Sequence, residues 1–234
     1  MTLGIEERRF ILRFEDVTLL VDPAGGERLN VRLDVYGGNL VLMRLERGRQ
    51  GEVFADTCAG LISPQAGTVS FLGRSWARLH ADLGNALRGR IGRVFRSGNW
   101  VDYLSLQENI LLPQLYHTRR KAKELRDEAA LLAMRLGLPG LPVGSHREQN
   151  RSDLQIAACV RAFLGHPVLV ILQEPTAGAD SAMLPKLINL IGDYRSRGTA
   201  VVWLTLEDSI WQDPTLPVSR RYRAVGQEIK EVTL

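Results

Sequence analysis

"VLVILQEPTAGAD", residues 168–180, is the stretch from which the rest of the chain is read. Its first five residues are a continuous run of Val, Leu and Ile of strand length, the pattern of a parallel strand covered on both faces. The run ends at Gln173 and Glu174, and Pro175 follows. Upstream, "DLQIAACVRAFLG" (153–165) is apolar almost all round, which suits a helix buried between layers with Gly165 as its end. Downstream, Met183 to Arg197 has amphipathic helical spacing and stops at Gly198, and "TAVVWLT" (199–205) is a second apolar strand. Two strands joined by a helical crossover form a βαβ unit, whose ligand edge lies beyond the carboxyl ends of the strands. Gln173, Glu174 and residues 205–208 fall at that edge.

The first third reads mostly as strands: Phe10 to Val21, a Gly25-Gly26 turn, Leu29 to Tyr36, the Gly37-Gly38-Asn39 turn, and Leu40 to Leu45. The turns predict hairpins. A glycine-containing loop at 48–51 precedes an apolar segment, Val53 to Leu61, that predicts a short buried helix, and "GTVSFLG" (67–73) is a further strand. From residue 100 the period changes. "SLQE" (105–108) has the form of a capping box and predicts a helix start, with Pro113 expected to bend or end it. Thr118 is placed to cap a longer helix with Leu125, Ala129, Leu132 and Leu136 on one face, stopped by Gly137 and Pro139.

At 234 residues and 45% hydrophobic content the chain has enough apolar surface for a substantial core without staples. Cys58 and Cys159 lie in apolar segments and read as buried thiols in a reducing compartment. His80, His117, His146 and His166 have no metal-ligand spacing, and no metal is expected. No apolar run approaches the ~20 residues that cross a bilayer, so no direct membrane insertion is expected. The net charge is +4, and the densest basic cluster is Arg119, Arg120, Lys121 and Lys123. Without interleaved aromatics it reads as a solvated helix start, and no nucleic-acid partner is expected. Trp76, Trp100 and Tyr103 read as core residues before they read as partner contacts, and Trp211 as a surface anchor.

The order of these elements resembles the ABC-transporter ATPase subunit over about residues 10–230. The resemblance is carried by "AGLISPQAGTVSFLG" (59–73), "IGRVFRSGNWVDYLSLQENILLP" (91–113), "VRAFLGHPVLVILQEPTAGAD" (160–180) and "RGTAVVWLTLEDS" (197–209), in the right order and at the right spacing. It implies an α/β, P-loop-NTPase-like fold: an N-terminal antiparallel β lobe, a mostly parallel core sheet flanked by helices, and a helical insert. One domain, 1–234, is expected, with residues 10–99 and 153–230 as core and β lobe and 100–152 as helical subdomain. The wording around Ser97-Gly98 is similar to that of ATPases of lipid-trafficking importers that work with MCE proteins.

Carried onto that family, the catalytic positions read differently from its pattern. Counting back from Ala59-Gly60-Leu61 puts Gly48 and Gln50 on glycines of the phosphate loop, Arg49 between them, Gly51 on its lysine and Glu52 on its hydroxyl residue. A shift of one puts Glu52 on the lysine and Val53 on the hydroxyl residue; neither register restores the lysine. Arg96 stands at the Q-loop glutamine, and a guanidinium has no acceptor for magnesium. Gln149-Asn150-Arg151-Ser152 stands at the LSGG signature, Gln173 at the Walker B aspartate and Leu206 at the switch histidine. Glu174 matches the catalytic base and is read as vestigial; Asp180 matches the D-loop acid, a role a helix N-cap explains equally well.

The resemblance therefore implies a catalytically impaired nucleotide-binding-like subunit, a pseudo-ATPase. Its expected partners are an integral-membrane permease and a second ABC ATPase subunit or its own copy as dimer. No resident cofactor is expected; weak ATP binding without an ordered magnesium ion is the most that this loop leaves. The expected place is cytoplasmic, peripheral at the inner face of the cell membrane through the permease. Two alternatives stay open: a divergent active ATPase energising transport of a lipid or other small substrate, with Arg47, Arg49 or Arg96 as replacement cations, and a protein-binding adaptor outside transport.

Overall fold

The computed structural model describes residues 10–22, 24–45 and 48–233. The strands are β1 (Phe10–Asp22), β2 (Glu27–Tyr36), β3 (Leu40–Arg44), β4 (Ala66–Phe71), β5 (Arg74–Ser75), β6 (Ile91–Val94), β7 (Leu169–Gln173), β8 (Ala200–Leu204), β9 (Arg220–Val225) and β10 (Glu228–Val232). The helices are α1 (Gly48–Cys58), α2 (Ala81–Arg88), α3 (Leu106–His117), α4 (Ala122–Leu136), α5 (Arg151–Phe163), α6 (Met183–Ser196) and α7 (Asp208–Trp211). The ten strands of the described residues join one sheet in the order β5-β4-β1-β2-β10-β9-β3-β8-β7-β6.

The sheet has two characters. β1 pairs antiparallel with β2 and β4, while β3, β8, β7 and β6 run parallel. β7 and β8 are buried at every position, as continuous apolar runs require, and α6 crosses between them. One core lies between these strands and α3 to α6; a second lies between the β1–β2 lobe, β3 and α1, where Phe14 stacks on Phe54 with ring centroids 5.2 Å apart. α5 presses closely on β6: a Cβ at Gly92 would stand 1.7 Å from the carbonyl oxygen of Ala162, so only glycine fits there.

Several expectations are corrected. β2 and β3 do not form a hairpin; β3 pairs parallel with β8 and β9, because "LVLM" is buried on both faces and needs neighbours on both sides. Residues 48–51 are not a loop but the first turn of α1. The Ser105 capping box is present, yet α3 runs through Pro113 to His117. Burial of Ile110, Leu111 and Gln114 on either side of the proline outweighs the missing N–H. Thr118 does not cap α4: its hydroxyl donates back to the Gln114 carbonyl, 2.6 Å away, as the C-cap of α3. The predicted apolar face of α4 is buried, and Gly137 ends the helix at φ 114°. Trp211 is buried rather than a surface anchor, and Tyr103, taken for core, is 87% exposed. Among the described residues no helix is long and apolar enough to cross a membrane.

Candidate functional site

The site edge is built where β7 ends. Gln173 is the last residue of the strand and is buried. Arg93 on β6 pairs in register with Ile171, two residues before Gln173 and therefore on the same face of the sheet. Its Nε donates to Gln173 Oε1 at 2.9 Å, its Nη1 to Asp56 Oδ1 of α1 at 2.5 Å, and its guanidinium lies 4.4 Å above the Phe95 ring. The side chain of Arg93 is 9% exposed and that of Asp56 31%. The amide at the aspartate position is thus engaged by an arginine that ties α1 to the sheet.

Glu174 follows in the left-handed region at φ 48°, a conformation costing a non-glycine residue about 1–2 kcal/mol. Its carboxylate is taken up by the end of β8: Oε1 accepts the Leu206 N–H at 2.7 Å and Oε2 the Thr205 hydroxyl at 3.3 Å. Burial pushes its pKa up from the ordinary carboxylate value, against the opposing pull of those two bonds. Around it Leu45, Gly51, Arg96, Leu204 and Leu206 leave a cavity of about 30 Å³. That is room for one or two waters.

A wider cleft of about 230 Å³ adjoins it, lined by Glu52, Asp56, Arg93, Arg96, Asn99 and Gln173. Glu52 is exposed and has no hydrogen bond or ion pair among the described residues. Of the phosphate-loop positions, Gly48, Arg49, Gln50, Gly51, Glu52 and Val53 all lie in α1. A phosphate nest alternates right- and left-handed residues so that successive N–H groups converge; a regular helix aligns them along its axis instead. Gln50 points inward, is 3% exposed and donates to Glu27 Oε1 at 2.9 Å, while its own Oε1 is buried without a partner. Val53 is buried. Of the replacement cations, Arg49 and Arg96 are exposed, and Arg47 lies outside the described residues.

The signature and D-loop positions meet each other rather than the cleft. Asn150 N-caps α5, its Oδ1 accepting the Asp153 N–H at 2.8 Å. A Cβ on Gly178 would collide with the Arg151 guanidinium, 2.2 Å away, and the Asp180 N–H donates to the Ser152 hydroxyl at 3.1 Å. Asp180 stands two residues before Ala182, the N-cap of α6, and its Oδ1 accepts the Ala182 N–H at 2.8 Å. Gln149 is the C-cap of the short 3₁₀ turn before α5. The loop after β6 is held from behind: the buried Arg161 of α5 donates to the carbonyls of Gly98 and Asn99 at 2.5 and 3.2 Å and stacks on Trp100 at 4.3 Å. Burial pushes the Arg161 pKa down to about 10. No group of three or more His, Cys, Asp or Glu suited to a metal occurs among the described residues.

Sequence reasoning missed Arg93 and Asp56. The signal was there: "IGRVF" places an arginine inside an apolar strand, and a charge so placed needs a partner.

A parallel core sheet with a crossover helix, an antiparallel β lobe and α1 between them form the ATP-binding-cassette fold of ABC transporters. The bacterial ABC transporter cassette MJ0796, solved as a dimer, superposes with a TM-score of 0.83 over 95% of this chain and 98% of that one, at 22% identity. In sequence, a Staphylococcus haemolyticus protein provisionally named hemin import ATP-binding protein HrtA is 26% identical over 163 residues, 69% of this chain and 73% of its own length. The macrolide export ATP-binding/permease protein MacB of Escherichia coli is 26% identical over 194 residues, 80% of this chain; the match spans 30% of MacB. No protein-family model matches the chain.

Proposed function

We propose that the chain is a non-hydrolysing cassette subunit of a transport assembly, docked to a membrane permease and paired with a second cassette or with its own copy. The observation that carries this reading is the bonding at the end of β7, where Glu174 is held by Leu206 and Thr205 beside a cavity of about 30 Å³. The residues present do not fit a magnesium-bound triphosphate. Magnesium takes oxygen donors in an octahedral shell, whereas the Gln173 oxygen is engaged by Arg93, Arg96 has no acceptor, and Glu52 brings a negative charge toward phosphate. A carboxylate about 4 Å from a phosphate charge adds ~4 kcal/mol of repulsion at an effective dielectric of 20.

The transport setting is supported by the fold and by the names of the relatives, an ATP-binding protein and an ATP-binding/permease protein. Pairing is supported by the dimeric state of the superposed cassette. The scaffold would hold the subunit at the inner membrane face through the permease, its role structural or regulatory. The test is phosphate release from magnesium ATP by the purified chain and by the complex that co-purifies with it. The proposal expects no turnover from the chain alone and, in the complex, turnover insensitive to Glu174→Ala. Turnover by the isolated chain overturns it.

A further inference from the structure

The cleft beside α1 is lined by two guanidinium groups, the exposed Arg96 at its rim and the largely buried Arg93. Arg93 reaches from the middle of β6 into a pocket bounded by Glu52 and Asp56 on α1 and by Gln173 on β7. It meets an oxygen on two sides, Asp56 Oδ1 at 2.5 Å and Gln173 Oε1 at 2.9 Å, and closes a third face over the Phe95 ring at 4.4 Å. A guanidinium at 9% exposure is costly to desolvate unless its partners are fixed. Here they are fixed on two different elements, α1 and the end of β7.

We propose that this cleft is a cation site permanently filled by the protein's own arginine. The Arg93 guanidinium is the keystone that holds α1 against the sheet and keeps the cleft in one shape with no bound ion or nucleotide. The proposal deepens the non-hydrolysing reading and rests on it only for its functional meaning. With Arg93 removed, the cleft keeps Glu52 and Asp56, one helical turn apart on α1, and the side-chain oxygen of Gln173, with the exposed Arg96 beside them. That is an oxygen donor set of the kind that hard divalent cations take.

The experiment is thermal unfolding of the full chain and of Arg93→Ala, Asp56→Asn and the double variant, each with and without millimolar MnCl2 or MgCl2. Arg93→Ala is expected to unfold roughly 5–10 °C lower, by the usual cost of breaking a largely buried pair in a chain of this size. Added divalent cation is expected to recover part of that loss in Arg93→Ala and to leave wild type unchanged. Asp56→Asn in the Arg93→Ala background should abolish the recovery, and the two substitutions should cost less together than their sum. Should Arg93→Ala fail to fold, Arg93→Lys serves: it keeps the charge, cannot reach Asp56 and Gln173 with two separate nitrogens, and is expected to unfold below wild type while keeping no response to the cation. An unchanged transition in Arg93→Ala, additive costs, or an equal response of wild type and variant to the cation overturns the proposal. ATP turnover by wild type would remove the non-hydrolysing reading while leaving these transitions as they are, so the two failures are separable.

Discussion

Replacing Glu174 by glutamine separates a working base from a carboxylate bonded into the scaffold. The side chain is isosteric, so the introduced amide oxygen can keep the Leu206 N–H that Glu174 accepts at 2.7 Å, and the Thr205 hydroxyl, now 3.3 Å from Oε2, can turn to accept from the new amide. Exchanging a charged for a neutral acceptor costs about 1 kcal/mol. Against it stands burial, the largest influence on this group, which raises its pKa above the ordinary value of 4.5 and so disfavours the anion in the folded state. A carboxyl with a raised folded pKa contributes stability that is full below the unfolded value and is lost as pH rises through the folded one. The Glu174→Gln variant should therefore gain on wild type as pH rises above the ordinary carboxylate value, ending within ~1 kcal/mol of it, or about 2–4 °C in Tm. Loss of a true general base costs about 10²–10⁴ in rate. Phosphate release from magnesium ATP should be at background in both proteins, with unfolding transitions recorded at pH 5 and pH 7.5 alongside. A turnover drop of about 100-fold in Glu174→Gln, or a variant that loses ground to wild type as pH rises, would refute the reasoning.

Three further outcomes follow from packing. Gly92→Ala must push α5 away from β6, since the added methyl meets the Ala162 carbonyl; a loss of about 1–3 kcal/mol or more by denaturant titration is expected. Asn109→Leu should cost about 2–4 kcal/mol and raise hydrogen exchange over residues 101–105, because the buried amide donates to the carbonyls of Val101, Leu104 and Ser105 and accepts the Val101 N–H. Ser105→Ala removes one half of the capping box on α3 and should cost about 0.5–2 kcal/mol, with little effect if Glu108 is already changed.

What the sequence made legible was local. The β7–α6–β8 unit, the apolar face of α4, the Gly137 stop and the Ser105 cap are each written in short windows, where periodicity and capping chemistry suffice. What it hid was pairing at a distance. Gly37-Gly38-Asn39 looks like a hairpin turn, yet β3 finds its partners at residues 201–204 and 220–223, and only burial on both faces of "LVLM" hints at it. Thr118 had two helices to serve, and its hydroxyl serves the one behind it. At the site, Gln173 and Glu174 do lie at the sheet edge where the apolar run ends, but Arg93 and Asp56 belong to no motif. Their meeting across 37 residues depends on how α1 lies on the sheet, which no single-residue pattern encodes.

The most direct measurement is a calorimetric titration of the purified chain with a non-cleavable triphosphate in the presence of magnesium. With residues 48–53 wound into α1, Arg93 on Gln173 and Glu174 on Leu206, no saturable heat is expected at millimolar nucleotide. Saturable binding with a micromolar Kd that depends on magnesium would contradict the claim that this cassette no longer holds the nucleotide and its metal.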